Sequence, residues 1–122
     1  MAVELFNNIK TCVGKIDGSK IIDAQGQIIG YTDEKKLLFM DINKVTVAHV
    51  KQSCLFTKHG RTLCLFTENE IRDSMNKLFI KIDGDRIVDT SNYLKGYIKG
   101  ESSIPKNIVL AAMLLVYTID LF

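Results

Sequence analysis

Four residues able to hold a soft metal ion recur at an even step of five: His49, Cys54, His59 and Cys64. Zinc takes four such nitrogen and sulfur ligands tetrahedrally. Structural zinc sites usually set their ligands in pairs about two to four residues apart, on a knuckle or a helix. An odd step along extended chain instead alternates faces. With a turn at His59-Gly60, Cys54 falls opposite Leu65 and Cys64 opposite Leu55. The two sulfurs then point to opposite sides, which also argues against a disulfide between them. We read two small apolar cysteines and two loop histidines, and expect no metal.

A second set is Asp23, Asp73 and Asp89, which share one column of an internal repeat. Paired carboxylates can serve as acid and base. An Asp repeated just before a turn is more simply an Asx-turn former, its side chain accepting backbone N–H groups. Gly14-Lys15-Ile16-Asp17-Gly18 contains a Gly-Lys pair without P-loop spacing, and neither a nucleophile elbow nor a dinucleotide fingerprint is present. The expectation is a non-enzyme, with no catalytic, cofactor-binding or metal-binding residue and no cofactor.

The elements that carry these residues are set by the repeat. "IDGSKIIDAQGQIIGY" (Ile16–Tyr31) returns as "IDGDRIVDTSNYLKGY" (Ile82–Tyr97). Units start at Ile16, Thr32, Val50, Phe66, Ile82 and Ile98, a period of 16 with one two-residue insertion. The sixth column is aliphatic throughout: Ile21, Leu37, Leu55, Ile71 and Ile87. The eleventh holds Gly26, Gly60, Asn76 and Asn92, with Asn43 displaced by one. Gly and Asn tolerate positive φ, so this column predicts the left-handed position of a tight turn. Asp17-Gly18, Asp83-Gly84 and Lys99-Gly100 mark a second turn in each unit. Two turns per unit leave short strands in an antiparallel meander. Alternation puts Ile28, Gly30, Thr32; Thr62, Cys64, Phe66; Leu78, Ile80, Ile82; and Leu94, Gly96, Ile98 on the core face.

Two stretches are less uniform. Residues 68–77 carry the repeat, with Asn76 in the turn column, yet also a helix signature: Thr67 and Glu70 as a capping box, Phe66 and Ile71 as a staple. Helix and strand both stay open there, with strand favoured. The chain end, residues 104–122, predicts a helix with Ser103 as N-cap and Pro105 in its first turn. Its apolar run from Ile108 to Ile119 is short of the about 20 residues a membrane span needs. A core helix is therefore expected, packed against small residues such as Gly30, Cys64 and Gly96.

Composition bounds the rest. The chain has 122 residues, 47% hydrophobic, with a net charge of +2. That suits one domain, residues 1–122, with hairpin repeats over 13–103 and the C-terminal helix over 104–122. So small a charge, with lysines scattered singly, argues against nucleic acid as a partner. Three cysteines, and a start "MAVELFNNIK" without a signal-peptide pattern, fit a reducing, cytoplasmic setting.

The motifs Ile16-Asp17-Gly18, Gly30-Tyr31, Ile82-Asp83-Gly84 and Gly96-Tyr97, followed by an Ala- and Leu-rich apolar end, resemble the four-fold β-flower family. These are small bacterial proteins of hairpin repeats, and the resemblance spans residues 13–122. It implies a flower or barrel-like sheet and no established activity or catalytic residue. The expected fold is thus mainly β, a hairpin-repeat meander with a C-terminal apolar helix. The expected role is a structural or interaction module that self-associates, because an open meander leaves edges to cover. The alternative is a peripheral membrane protein anchored by the C-terminal helix. No small-molecule ligand is identifiable from the residues.

Overall fold

A computed structural model of the chain describes residues 2–121; Met1 and Phe122, the outermost residues of the expected domain and helix, lie outside the described residues. The repeat becomes a series of hairpins, each a leading strand and a returning strand. The leading strands are β2 (Cys12–Asp17), β4 (Ile28–Asp33), β6 (Thr46–Lys51), β8 (Thr62–Thr67), β10 (Leu78–Asp83) and β12 (Leu94–Gly100). The returning strands are β3 (Lys20–Asp23), β5 (Leu38–Met40), β7 (Cys54–Thr57), β9 (Glu70–Arg72) and β11 (Arg86–Val88). The sixth returning strand comes from the other end of the chain: β1 (Ala2–Asn7) pairs with β12, Leu5 opposite Ile98. The twelve antiparallel strands close into a barrel, each beside its neighbours in sequence.

Each returning strand leads into the next leading strand through a five-residue turn. These turns are 7–11, 23–27, 41–45, 57–61, 73–77 and 89–93. In every one the first residue's carbonyl accepts from the fourth N–H, and its own N–H donates to the fifth carbonyl. The fourth residue is left-handed: Lys10, Gly26, Lys44, Gly60, Asn76 and Asn92 have φ of 65°, 80°, 62°, 86°, 66° and 63°. Gly26, Gly60, Asn76 and Asn92 are as the turn column predicts. In the second unit the left-handed residue is Lys44, not Asn43. The two-residue insertion lies in the loop between Asp33 and Leu38, ahead of the sixth column rather than within the later turn. Phe39, fully buried, therefore takes the core place expected for Leu37, which sits in the loop at φ 51°.

Inward side chains form three rings of six. Along the returning strands lie Leu5, Ile21, Phe39, Leu55, Ile71 and Ile87. Each pairs with a unit-start residue on one side: Ile98, Ile16, Thr32, Val50, Phe66 and Ile82. On the other side each faces a second leading-strand position: Gly14, Gly30, Ala48, Cys64, Ile80 and Gly96. Beyond that ring the register shifts in all six ladders, a bulge ahead of each returning turn. Bulges bend and twist strands, which is what closing a barrel requires. They also end the simple alternation. Ile28, Thr62, Leu78 and Leu94 are only half-buried, while the bulged Val13, Ile29 and Leu63 pack on the core.

Residues 68–77 are strand and turn. Thr67 and Glu70 face each other across a two-residue hairpin, and the Thr67 hydroxyl donates to Glu70 Oε1 at 2.9 Å. The contact that mimics a capping box is thus a cross-strand bond.

The barrel's interior is filled by its own C-terminal segment. The chain turns inward after β12 and forms α1 (Lys106–Ala111), then a π-helical turn, Ala112–Val116. The helix is much shorter than 104–122. It is capped by Pro105, without a side-chain cap, and Ser103 instead donates to Glu34 Oε2 at 2.6 Å. From Asn107 to Met113 every residue is buried, as expected for a helix apolar on all sides. Past Val116 the chain runs without helix toward Leu121, and the glycines of the third ring make its room. A Cβ on Gly30 would strike the Tyr117 ring, one on Gly14 would lie 2.7 Å from Ile119 Cδ1, and one on Gly96 would lie 2.8 Å from Leu121 Cδ1. Three glycines in one ring therefore mark where a folded-back tail, rather than more helix, completes the core.

Candidate functional site

A barrel lumen is the first place to look for a ligand. Here it is occupied by α1 and the tail. Its buried polar groups are spent on the fold: Thr32 donates to the Leu38 carbonyl at 3.0 Å, and Asn107 Nδ2 to the Glu68 carbonyl at 2.9 Å. Among the described residues no buried side-chain polar atom lacks a hydrogen-bond partner.

The four residues with metal-ligand spacing are not brought together. Cys64 points into the lumen opposite Leu55, and Cys54 lies on β7 opposite Leu65, as the register predicts. His49 stacks on Phe56 with ring centroids 5.4 Å apart, and His59 sits exposed in the turn 57–61. Cys12, Cys54 and Cys64 are free thiols. Burial pushes the Cys64 thiol from 9.0 up to about 12, so it stays protonated and unreactive at neutral pH. Among the described residues no three of His, Cys, Asp and Glu group as metal ligands.

The aspartate column is bound into turns. Asp23 Oδ1 accepts from Gln25 and Gln27, each at 2.9 Å; Asp73 Oδ1 from Met75 and Lys77, each at 2.9 Å; Asp89 Oδ1 from Ser91 at 2.9 Å and Tyr93 at 3.0 Å. Asn7 and Asp41 make the same pair of bonds, and Thr57 makes one, to Arg61. The N–H groups of Tyr93 and Ser91, with Lys95 nearby, hold the Asp89 carboxyl below the usual range. These carboxylates support the turns and are dispersed around one rim, so they form no acid–base pair.

An open groove of about 880 Å³ lies on the outer wall, lined by Thr67, Glu70, Arg72, Asn76 and Lys81 among others. Two of its charged groups, Glu70 and Arg72, satisfy one another. Glu70 Oε1 accepts from Arg72 Nη2 at 2.8 Å and Nε at 3.2 Å as well as from Thr67, and Arg72 Nη1 donates to the Asn76 carbonyl at 3.1 Å. The Thr67 hydroxyl, then the Arg72 guanidinium, lower the Glu70 pKa, which makes it a poor proton acceptor. The sequence names Thr67 and Glu70 only as a possible capping box, and nothing in their spacing brings Arg72 to them.

The end where the chain enters the barrel is latched to three hairpin tips. Ser103 reaches Glu34, Asn107 reaches Glu68, and Lys106 Nζ lies 2.9 Å from Asp85 Oδ1, holding the Asp85 carboxyl low. At the other end the Tyr117 hydroxyl donates to the Met40 carbonyl at 2.9 Å. Among the described residues no helix is long and apolar enough to cross a membrane. No protein-family model matches the chain, nor does any curated protein or solved structure.

Proposed function

We propose that the protein is a non-enzymatic interaction module that acts through its outer surface. The observation that carries this reading is the filled lumen: the one enclosed space of the barrel is taken by α1 and the tail. The outer groove holds a carboxylate, Glu70, already paired with Arg72. Kinship with the β-flower proteins belongs to the same proposal. It is supported by hairpin units around a C-terminal apolar helix, although this barrel has six hairpins. Closure removes the edge argument for self-association, since β1 pairs with β12 and no strand edge is left open. Self-association would instead have to use the outer wall or the exposed turns.

An anchor made of residues 104–122 is the second reading. It requires the barrel to give up its core, and burial of Ile104 and Ile108 through Met113 weighs against it.

The test pairs a broad hydrolase and transferase substrate screen with a Glu70→Gln variant. The proposal expects no turnover that depends on Glu70. Turnover by the wild-type chain that is abolished in Glu70→Gln would overturn it.

A further inference from the structure

The exposed large hydrophobic side chains of the described residues are Ile9, Ile42, Val45, Met75, Phe79 and Tyr93. Their positions are not random. All but Phe79 lie on the five-residue turns of one rim, spread over four of its six turns. Ile9, Met75 and Tyr93 are 76%, 77% and 70% exposed, on 7–11, 73–77 and 89–93. This is the rim that the tail reaches, where Tyr117 to Asp120 line one cleft with Asp23, Ala24 and Gln25. The half-buried Leu114, Leu115 and Val116 lead into it.

The same turns carry five exposed bases: Lys10, Lys44, Lys58, Arg61 and Lys77. Lys10 and Lys44 rest against Tyr97 and Tyr31, with Nζ 5.7 and 5.0 Å from the ring centroids. The acids of these turns, Asp23, Asp41, Asp73 and Asp89, are half-buried beneath them, each turning Oδ1 to two backbone N–H groups. The opposite rim also carries exposed bases, Lys35, Lys36 and Arg86, but beside the acids Glu34, Glu68 and Asp85, and it has none of the exposed large hydrophobics.

We propose that the turn rim rests on an anionic lipid surface. Ile9, Ile42, Met75 and Tyr93 enter the headgroup boundary, and the five bases face the headgroups. Shallow apolar insertion combined with basic residues is the physics of interfacial binding. Two features select a bilayer over a second copy of the chain. Rim-to-rim pairing would set the exposed bases against one another. Met75, Tyr93 and Ile9 lie on three consecutive turns of the rim, with Ile42 set apart by the polar turns 23–27 and 57–61, so the tips form an arc that can meet a flat surface at once. This inference rests on reading the protein as a binding module, and it names the partner.

The test is co-sedimentation of the full chain with phosphatidylcholine vesicles, with and without phosphatidylserine, at low and high salt. The chain should partition onto the phosphatidylserine vesicles only, and less at high salt. Ile9→Ser with Met75→Ser should lower partitioning by about tenfold or more, and so should Lys44→Glu with Lys77→Glu. Lys35→Glu with Lys36→Glu, on the opposite rim, should leave it unchanged. The chain contains no Trp, so Tyr93→Trp gives a single reporter whose emission should shift blue on the anionic vesicles. All these positions are exposed, and unchanged melting confirms that each variant is folded. Absence of partitioning at low salt overturns the proposal, as does partitioning that only the Lys35 and Lys36 variant reduces. Light scattering that shows a dimer lost with Ile9→Ser and Met75→Ser also overturns it, because the face is then a copy interface. Failure here leaves the module reading standing, since that falls only to Glu70-dependent turnover.

Discussion

The Tyr117 hydroxyl donates to the Met40 carbonyl at 2.9 Å, with the Tyr31 carbonyl 3.1 Å away. One bond thus ties the tail to the β4–β5 hairpin, 77 residues earlier in the chain. The ring also meets Phe39 edge-on at a centroid distance of 6.4 Å. Tyr117→Phe keeps the ring and removes the donor of this bond between tail and hairpin. It should cost about 0.5–1.5 kcal/mol, read as a lower midpoint in denaturant with an unchanged slope.

Alkaline pH should expose the same burial. Loss of solvent raises the Tyr117 pKa, and burial raises that of Cys64 from 9.0 to about 12. In both the folded state favours the protonated, neutral form. Their contribution is therefore complete below the unfolded values and is lost as pH climbs through and beyond them. Stability should fall from about pH 9 upward, less steeply in Cys64→Ala, in denaturant titrations at a series of pH values. Thiol-reagent kinetics at neutral pH should show Cys12 and Cys54 reacting well before Cys64.

Gly30 sits under the Tyr117 ring and against the Met40 carbonyl, with no space for a side chain. Gly30→Val should overpack the rim and cost about 1–3 kcal/mol or more. The same change at Gly18, whose missing Cβ meets nothing within 4 Å, should act only through its φ of 62°. Thermal melts of the two variants side by side separate crowding from backbone strain, and Gly30→Val should show an additional loss of tail protection in hydrogen exchange.

The turn residues offer a gain as well as losses. Asp73 Oδ1 accepts two backbone N–H groups, whereas Thr57 in the equivalent place accepts only that of Arg61. Asp73→Ala should destabilise by about 1–2 kcal/mol, and Thr57→Asp should stabilise by about 0.5–1 kcal/mol. Chemical denaturation of both variants checks the pair of signs.

Much of this architecture was legible in the residues because the repeat encodes turns chemically. Gly26, Gly60, Asn76 and Asn92 give away their left-handed backbone, and the columns then fix the Cys54–Leu65 and Leu55–Cys64 register. Where the same geometry is met by another residue type, the signal fails. Asn7 and Lys10 form a turn like the others, but Lys at positive φ does not announce it, so the strand that closes the barrel went unread. The insertion could not be placed from Leu37 or Phe39 alone, as both are apolar. The bulges are invisible to simple alternation, and the tail was read as more helix because its residues favour one. Only the matching glycines at 14, 30 and 96, on strands far apart in sequence, reveal the space it fills. The outer surface was least legible, since Ile9, Ile42, Met75 and Tyr93 come together only when the turns are arranged in a ring.

The central claim is that the C-terminal segment is the barrel's core. The most direct measurement is near-UV circular dichroism and thermal melting of the chain truncated after Ser103. Removing Ile104, Ile108, Val109, Leu110, Met113 and Leu121, all buried, forfeits about 1.5–3 kcal/mol for each large side chain and leaves an empty lumen. Together that rivals the about 5–15 kcal/mol by which small domains are usually stable. The truncated chain should be insoluble, or lack near-UV signal and a cooperative transition. A soluble truncated chain with native near-UV signal and a sharp melt would contradict the account, and would favour residues 104–122 as a separable anchor.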